Sequence, residues 1–164
     1  MKNAETVTFG GSSLNRAAHM RGNIQIADDD PDARTIILWR GKLLLEAQGK
    51  SLARLQLSHP VMGDAGAVRV FLGLDEKGPI FAVSLSGWEP VLHEADEMDT
   101  FLDLTLQQHP ATGSAFFAEL RGIMTTLTPR DAELAATARA VLGWHESHRF
   151  CSACGTESKT ADAG

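Results

Sequence analysis

The chain has two cysteines, Cys151 and Cys154, separated by two residues, followed by Gly155 and preceded closely by Trp144, His145, His148 and Phe150. That spacing is one knuckle of a zinc site, in which two thiolates grip one ion and the glycine lets the backbone fold back beneath it. Structural zinc takes four ligands, and the stretch from Gly155 to Gly164 holds no further Cys or His. Three chemistries fit such a half set. A redox dithiol is one, although thioredoxin-like sites lie where a strand runs into a helix, whereas here a helix precedes the pair and a small polar segment follows. A self-contained site from His145, His148, Cys151 and Cys154, evenly spaced at intervals of three, is the second, and wrapping it round an ion would unwind the helix end. The first half of a zinc ribbon, completed by a second C-x-x-C beyond Gly164, fits the spacing best.

Other catalytic patterns are missing. No G-x-S-x-G surrounds a serine, and Ser84-Leu85-Ser86-Gly87 lacks the leading glycine of a nucleophile elbow. No recognisable carboxylate pattern on a helix face would hold Mg2+ against a pyrophosphate. The opening Gly10-Gly11-Ser12-Ser13 could cradle a phosphate with main-chain N–H groups, but it matches neither a P-loop nor G-x-G-x-x-G and reads as an entry loop. The run Asp28-Asp29-Asp30-Pro31-Asp32 reads as a solvated connector.

At 164 residues the chain has room for one domain with a core and an appendage. An apolar share of 43% and a charged share of 22% are ordinary for a globular protein, and no apolar run is long enough to span a membrane. The N-terminus lacks a signal-peptide profile, so a cytoplasmic location is expected, where paired thiols serve metal or redox chemistry in preference to a structural disulfide. A net charge of -6 argues against general attraction to polyanions.

Several elements must position the cysteines. Thr35–Trp39, a turn at Arg40-Gly41 and Lys42–Glu46 predict a hairpin of buried strands. A second hairpin runs from Val68 to Leu74, turns through Asp75-Glu76-Lys77-Gly78 and returns over Ile80–Leu85, with Phe71 and Phe81 as core. The mainly short-range pairing points to an antiparallel or mixed sheet. His93–Asp99 reads as an acidic first turn leading into Phe101, Leu102, Leu104 and Leu106. Ser114 opens a predicted helix with Phe116, Phe117, Leu120, Ile123 and Met124 on one stripe. If left exposed, that stripe would serve a dimer contact. Thr128 as N-cap, Pro129 at the first helical position and Asp131 answering the free amides start a final helix. Its stripe is Leu134, Ala138, Val141 and Leu142, and it joins the sheet to the cysteines.

Trp144-His145, then His148-x-Phe150-Cys151-x-x-Cys154-Gly155, preceded by the alanine-rich helix from Ala132 to Ala140, resembles the junction in NADH pyrophosphatases of the Nudix superfamily. Leu14-x-Arg16, the hairpin Leu72–Asp75 with Gly78–Ala82, and Phe117-x-x-Leu120-Arg121 agree with it. The resemblance implies an α/β (α+β) fold: a rudimentary Nudix-like domain with a mixed or antiparallel sheet and packed helices over residues 1–127, a linker helix over 128–148, and half a zinc ribbon over 149–164. It implies zinc on Cys151 and Cys154 together with a second pair, and a downstream catalytic domain holding Mg2+ or Mn2+ on the glutamates of a Nudix box. This chain contains no such box, so no catalytic residue carries over. The parent would cleave NADH or NAD+ to nicotinamide mononucleotide and AMP, commonly as a homodimer, with NAD-capped RNA as a further substrate of some members. The chain itself would be an inactive scaffold or dimerisation module. A free-standing zinc-dependent interaction module and a thiol redox protein are the rivals.

Overall fold

The computed structural model describes residues 9, 11–90 and 107–164. Arg34–Trp39 forms β1 and Lys42–Leu45 forms β2, joined by the tight turn at Arg40-Gly41, with Leu38 opposite Leu43 and Trp39 opposite Lys42. Gly41 sits at φ +77, a left-handed conformation that glycine adopts without steric cost. Leu55–Gln56 is β3 and pairs antiparallel with the start of β1. The second hairpin is β4, Arg69–Asp75, and β5, Gly78–Ser84.

β5 lies parallel to β1, in register from Arg34 opposite Ile80 to Leu38 opposite Ser84. The sheet is therefore mixed, in the order β4-β5-β1-β2-β6, with β3 beside β1. Its sixth strand, β6, is Phe116–Ala118, which pairs antiparallel with β2.

Here the structure corrects the sequence reading. The stretch from Ser114 to Met124, expected as one helix, is β6 followed by a single turn of helix. The free edge of β2 offers Phe116, Phe117 and Ala118 a ladder, and their alternation sends Phe117 to one face and Ala118 to the other. Phe117 is wholly buried and Leu120 nearly so, which removes the proposed exposed stripe. The segment His93–Leu106, expected to start as an acidic turn, lies outside the described residues.

Short helices are α1, Gln25–Asp28, and α2, Leu120–Ile123; the long one is α3, Pro129–Ser147. Consecutive apolar residues of β1 serve both faces of the sheet, which is why the strand reads as an unbroken apolar run. Ile36 and Leu38 pack with Leu43, Leu45, Val70 and Leu72 under α3, whose Leu134, Ala135, Ala138 and Leu142 complete the core. Ile37 and Trp39 pack on the opposite face with Leu44, Val61, Val83, Trp88 and Phe117. There the Trp39 indole N–H donates to the Trp88 carbonyl at 3.1 Å. Phe71 and Phe81 meet at 5.3 Å between ring centroids, as core residues.

Thr128 caps α3 as expected, its hydroxyl accepting from the Asp131 N–H at 3.1 Å, with Pro129 in the first turn. The Asp131 carboxylate does not answer the amides of its own helix. It turns away to accept the Leu52 N–H at 3.1 Å and the Arg54 guanidinium at 2.5 Å. At 3% exposure, a carboxylate at this position is stabilised far more by a charged partner than by a half-satisfied helix end.

Candidate metal centre

α3 carries the chain from the sheet to the cysteines. Its buried stripe anchors the first four turns, and its last turn stands clear of the core: Trp144 is 52% exposed and Phe150, just beyond, 59%. The helix closes with Ser147 Oγ donating to the Gly143 carbonyl at 2.7 Å and the His148 N–H donating to the Trp144 carbonyl at 2.8 Å. The His148 ring stacks on Trp144, with centroids 5.0 Å apart and planes 9° from parallel, and His145 meets the same indole edge-on at 5.2 Å.

Past His148 the chain makes a small hairpin. Phe150 and Glu157 form an antiparallel bridge, the Ser158 N–H donates to the Arg149 carbonyl at 2.8 Å, and the Cys151 N–H donates to the Thr156 carbonyl at 2.8 Å. At the tip the Gly155 N–H donates to the Cys151 carbonyl at 2.9 Å while Gly155 takes φ +72. A side chain at that residue would be strained, so glycine is what lets the turn fold beneath the two thiols. Both cysteines thus flank one tight turn closed by glycine.

Both thiols are free and exposed. Cys154 Sγ lies 3.4 Å from Thr156 Oγ1. Hydrogen bonding from the Thr156 hydroxyl, then from the Thr156 backbone and the Cys151 thiol, holds Cys154 below the ordinary thiol range because each bond favours the thiolate. Two neighbouring thiols on one turn, one of them biased toward thiolate, fit the donor chemistry of half a zinc set.

The histidines do not complete that set here. His148 Nδ1 lies 2.9 Å from Ser147 Oγ and 3.1 Å from the Trp144 carbonyl, turned back onto the helix. Among the described residues no group of three or more His, Cys, Asp or Glu side chains is placed to hold an ion. The structure therefore brings Cys151 and Cys154 together and leaves both histidines against Trp144, His148 stacked on the indole and His145 edge-on to it.

The other sequence candidates resolve into structural roles. Ser12, from the glycine-serine opening, is bound by Glu133 through both its N–H and its hydroxyl. In the acidic run Asp28 pairs with Arg69, and the Asp30 carboxylate accepts the Asp32 N–H at 2.8 Å. Two polar arrangements were not anticipated from the sequence. His109 is buried against Trp88, its Nδ1 accepting the Ala111 N–H at 3.1 Å, so its ring proton sits on Nε2 and is donated to Asp64 at 2.9 Å. His59 caps the turn that follows it, Pro60–Asp64, by accepting the Val61 N–H in the same way, and the signal for both was a histidine followed by proline. The second is a charge network in which Arg54 bridges Asp131 and Asp75, and Arg130 meets Asp75 at 3.4 Å. Neither sits with the thiols.

Comparison with known proteins bears on the domain that carries the knuckle. The family described as the NADH pyrophosphatase-like rudimentary NUDIX domain matches residues 32–144, from the approach to β1 to the exposed tryptophan at the end of α3. The cysteines lie just past that match. The human mitochondrial NAD(P)H pyrophosphatase NUDT13 is 40% identical over 93 residues, covering 57% of this chain and 21% of that protein. This chain thus spans about a fifth of that relative's length. Among the described residues no helix is long and apolar enough to cross a membrane. The mixed sheet roofed by α3 and the match over most of the chain agree: the chain belongs to the family of NADH pyrophosphatase-like rudimentary NUDIX domains.

Proposed function

We propose that this chain is the non-catalytic scaffold of an NADH pyrophosphatase-type Nudix hydrolase, whose catalytic domain lies downstream in the parent protein. The observation that carries this reading is the junction: a family match over residues 32–144 runs directly into a knuckle hairpin, in a sequence without a Nudix box. Residues 1–127 are the rudimentary domain, 128–148 the helix that holds the junction, and 149–164 the first half of a zinc ribbon. Because α3 is packed into the sheet's core, it gives the ribbon a rigid base. Cys151 and Cys154 would hold zinc with a second cysteine pair, and the metal would supply a fixed fold to an otherwise coreless segment.

The parent's substrate is NADH or NAD+, cleaved at the pyrophosphate by Mg2+ or Mn2+ in the downstream domain, with NAD-capped RNA as a further substrate. The human relative's name, an NAD(P)H pyrophosphatase, supports the dinucleotide class. The parent is a homodimer. We place it in the cytoplasm, where the dithiol stays reduced.

The test is hydrolysis of NADH with Mg2+ or Mn2+ by this chain and by the protein at its natural length. No turnover by the chain and enzymatic turnover by the longer protein is the expected result. Enzymatic turnover by the chain alone would overturn the scaffold reading. A second reading, a thiol redox protein, is favoured by the depressed Cys154 thiol. Loss of a reductase-coupled activity in Cys154→Ser, with NADH hydrolysis absent at any length, would replace the first reading with this one.

A further inference from the structure

The uncharged surface of α3 does not stop at its core side. Opposite the buried Leu134, Ala138 and Leu142, the outward line of the helix runs through Glu133, Ala136, Ala140, Gly143 and Ser147, at alternating steps of three and four residues. Ala140, Gly143 and Ser147 are exposed, and a Cβ added to Gly143 would meet nothing. A helix that faces water ordinarily carries charge on that side, whereas one that is apolar all round is a covered helix.

The one charge on this line is engaged within the chain. The Glu133 carboxylate accepts from the Ser12 N–H at 3.2 Å and from the Ser12 hydroxyl. The neighbouring charges, Arg139 and Glu146, fall roughly 100° or more round the helix from Ala140, and Arg139 reaches Glu119 at 3.3 Å. From Ala136 to Ser147 the outward line is uncharged.

Trp144 flanks this line, and it is exposed where Trp39 and Trp88 are buried. Its ring is held in place, stacked by His148 and met edge-on by His145. A large exposed ring, fixed beside small uncharged residues that let another backbone come close, has the composition of the centre of a contact.

The size of this face selects its cover. From Ala136 to Ser147 it is about 16 Å long and about 10 Å wide, far short of the roughly 800 Å² per partner on which separate proteins associate stably. A segment of the same chain needs much less, because a tether holds it at about millimolar effective concentration. The family match ends at Trp144, on this face, and the human relative carries about four-fifths of its length outside the matched stretch.

We propose that the outward face of α3, formed by Ala136, Ala140, Gly143 and Trp144, is the dock for the downstream catalytic half of the same polypeptide. The proposal rests on the scaffold reading above and adds the place of contact.

The test is hydroxyl-radical footprinting, read residue by residue by mass spectrometry, on this chain and on the protein at its natural length, each with and without Ala140→Glu. Intact mass is taken first. Trp144 should label several-fold more slowly in the longer protein at every concentration, while the buried Trp39 and Trp88 label alike in both. Ala140→Glu should restore Trp144 labelling in the longer protein and leave the thermal midpoint of the isolated chain in place, since Ala140 is exposed there. Equal labelling of Trp144 at the two unaltered lengths overturns the proposal, whatever the variant does. Protection that fades on dilution would mark a second copy as the cover, and protection that Ala140→Glu leaves intact would mark the ribbon alone; either overturns it too. A natural product ending near Gly164 would remove the scaffold reading and the dock with it, a failure that the mass alone tells apart.

Discussion

The Asp131 carboxylate receives the Arg54 guanidinium at 2.5 Å while its other oxygen accepts the Leu52 N–H at 3.1 Å, so one buried side chain pins the start of α3 to the segment leading into β3. Replacing it strands a buried N–H and removes one of the two carboxylates that Arg54 meets, Asp75 at 3.3 Å being the other. Asp131→Ala should lower unfolding free energy by about 3 kcal/mol. Asp131→Asn, which keeps an acceptor for Leu52, should cost about half as much. Urea unfolding measures both, and a loss under about 1 kcal/mol for the alanine variant would show that the pair does not hold the helix start.

Gly73 is a second pressure point. It takes φ +146 at an irregularity in the β4 register, with the Asn15–Arg16 backbone across it. Gly73→Ala adds both a backbone penalty and a clash with main chain, which cannot swing aside as a side chain could. It should destabilise by more than about 1 kcal/mol, whereas Gly122→Ala, in a short helix with open space around it, should be neutral or stabilising. Equal thermal midpoints for the two variants would contradict the close approach of the N-terminal arm.

These positions also show what the sequence made legible and what it did not. The two hairpins and the Thr128 cap were readable because each is local: turn residues, period-two apolar runs and a cap lie within a few residues of one another. The parallel pairing of β1 with β5 was not, since it joins Arg34 to Ile80 and no local rule fixes such a partner. The stretch from Ser114 to Met124 misled because a short apolar run satisfies helix and strand periods alike, and the vacant edge of β2 decided the matter. Asp131 misled for a related reason, as its position suggests a capping role until Arg54 is seen beside it.

The depressed Cys154 thiol gives a pH test on the metal-free protein. Since hydrogen bonds from Thr156 favour the thiolate, Cys154 should alkylate with a pH-rate profile displaced below that of a free cysteine. Thr156→Val removes the hydroxyl, the largest contribution, and should move the profile back up. Site-resolved mass spectrometry of iodoacetamide labelling reads this directly. An unmoved Cys154 profile in the variant would mean that Thr156 does not set the thiol.

Zinc content separates a half site from a closed one. Two thiols per chain predict that this chain, loaded with zinc and desalted, retains about one ion per two chains, because two knuckles are needed for four ligands. Cys151→Ser should abolish retention. One tightly held ion per chain, lost in His145→Ala or His148→Ala, would instead show that the histidines leave Trp144 and close the site.

The most direct measurement is the intact mass of the protein as its source cell makes it, captured with an antibody raised against α3. A scaffold for a downstream catalytic half predicts a product larger than this chain by roughly one domain, on the order of 100–200 residues, with a second C-x-x-C and a Nudix box in the added sequence. A product whose mass ends near Gly164 would contradict that account and leave the chain as an interaction module in its own right.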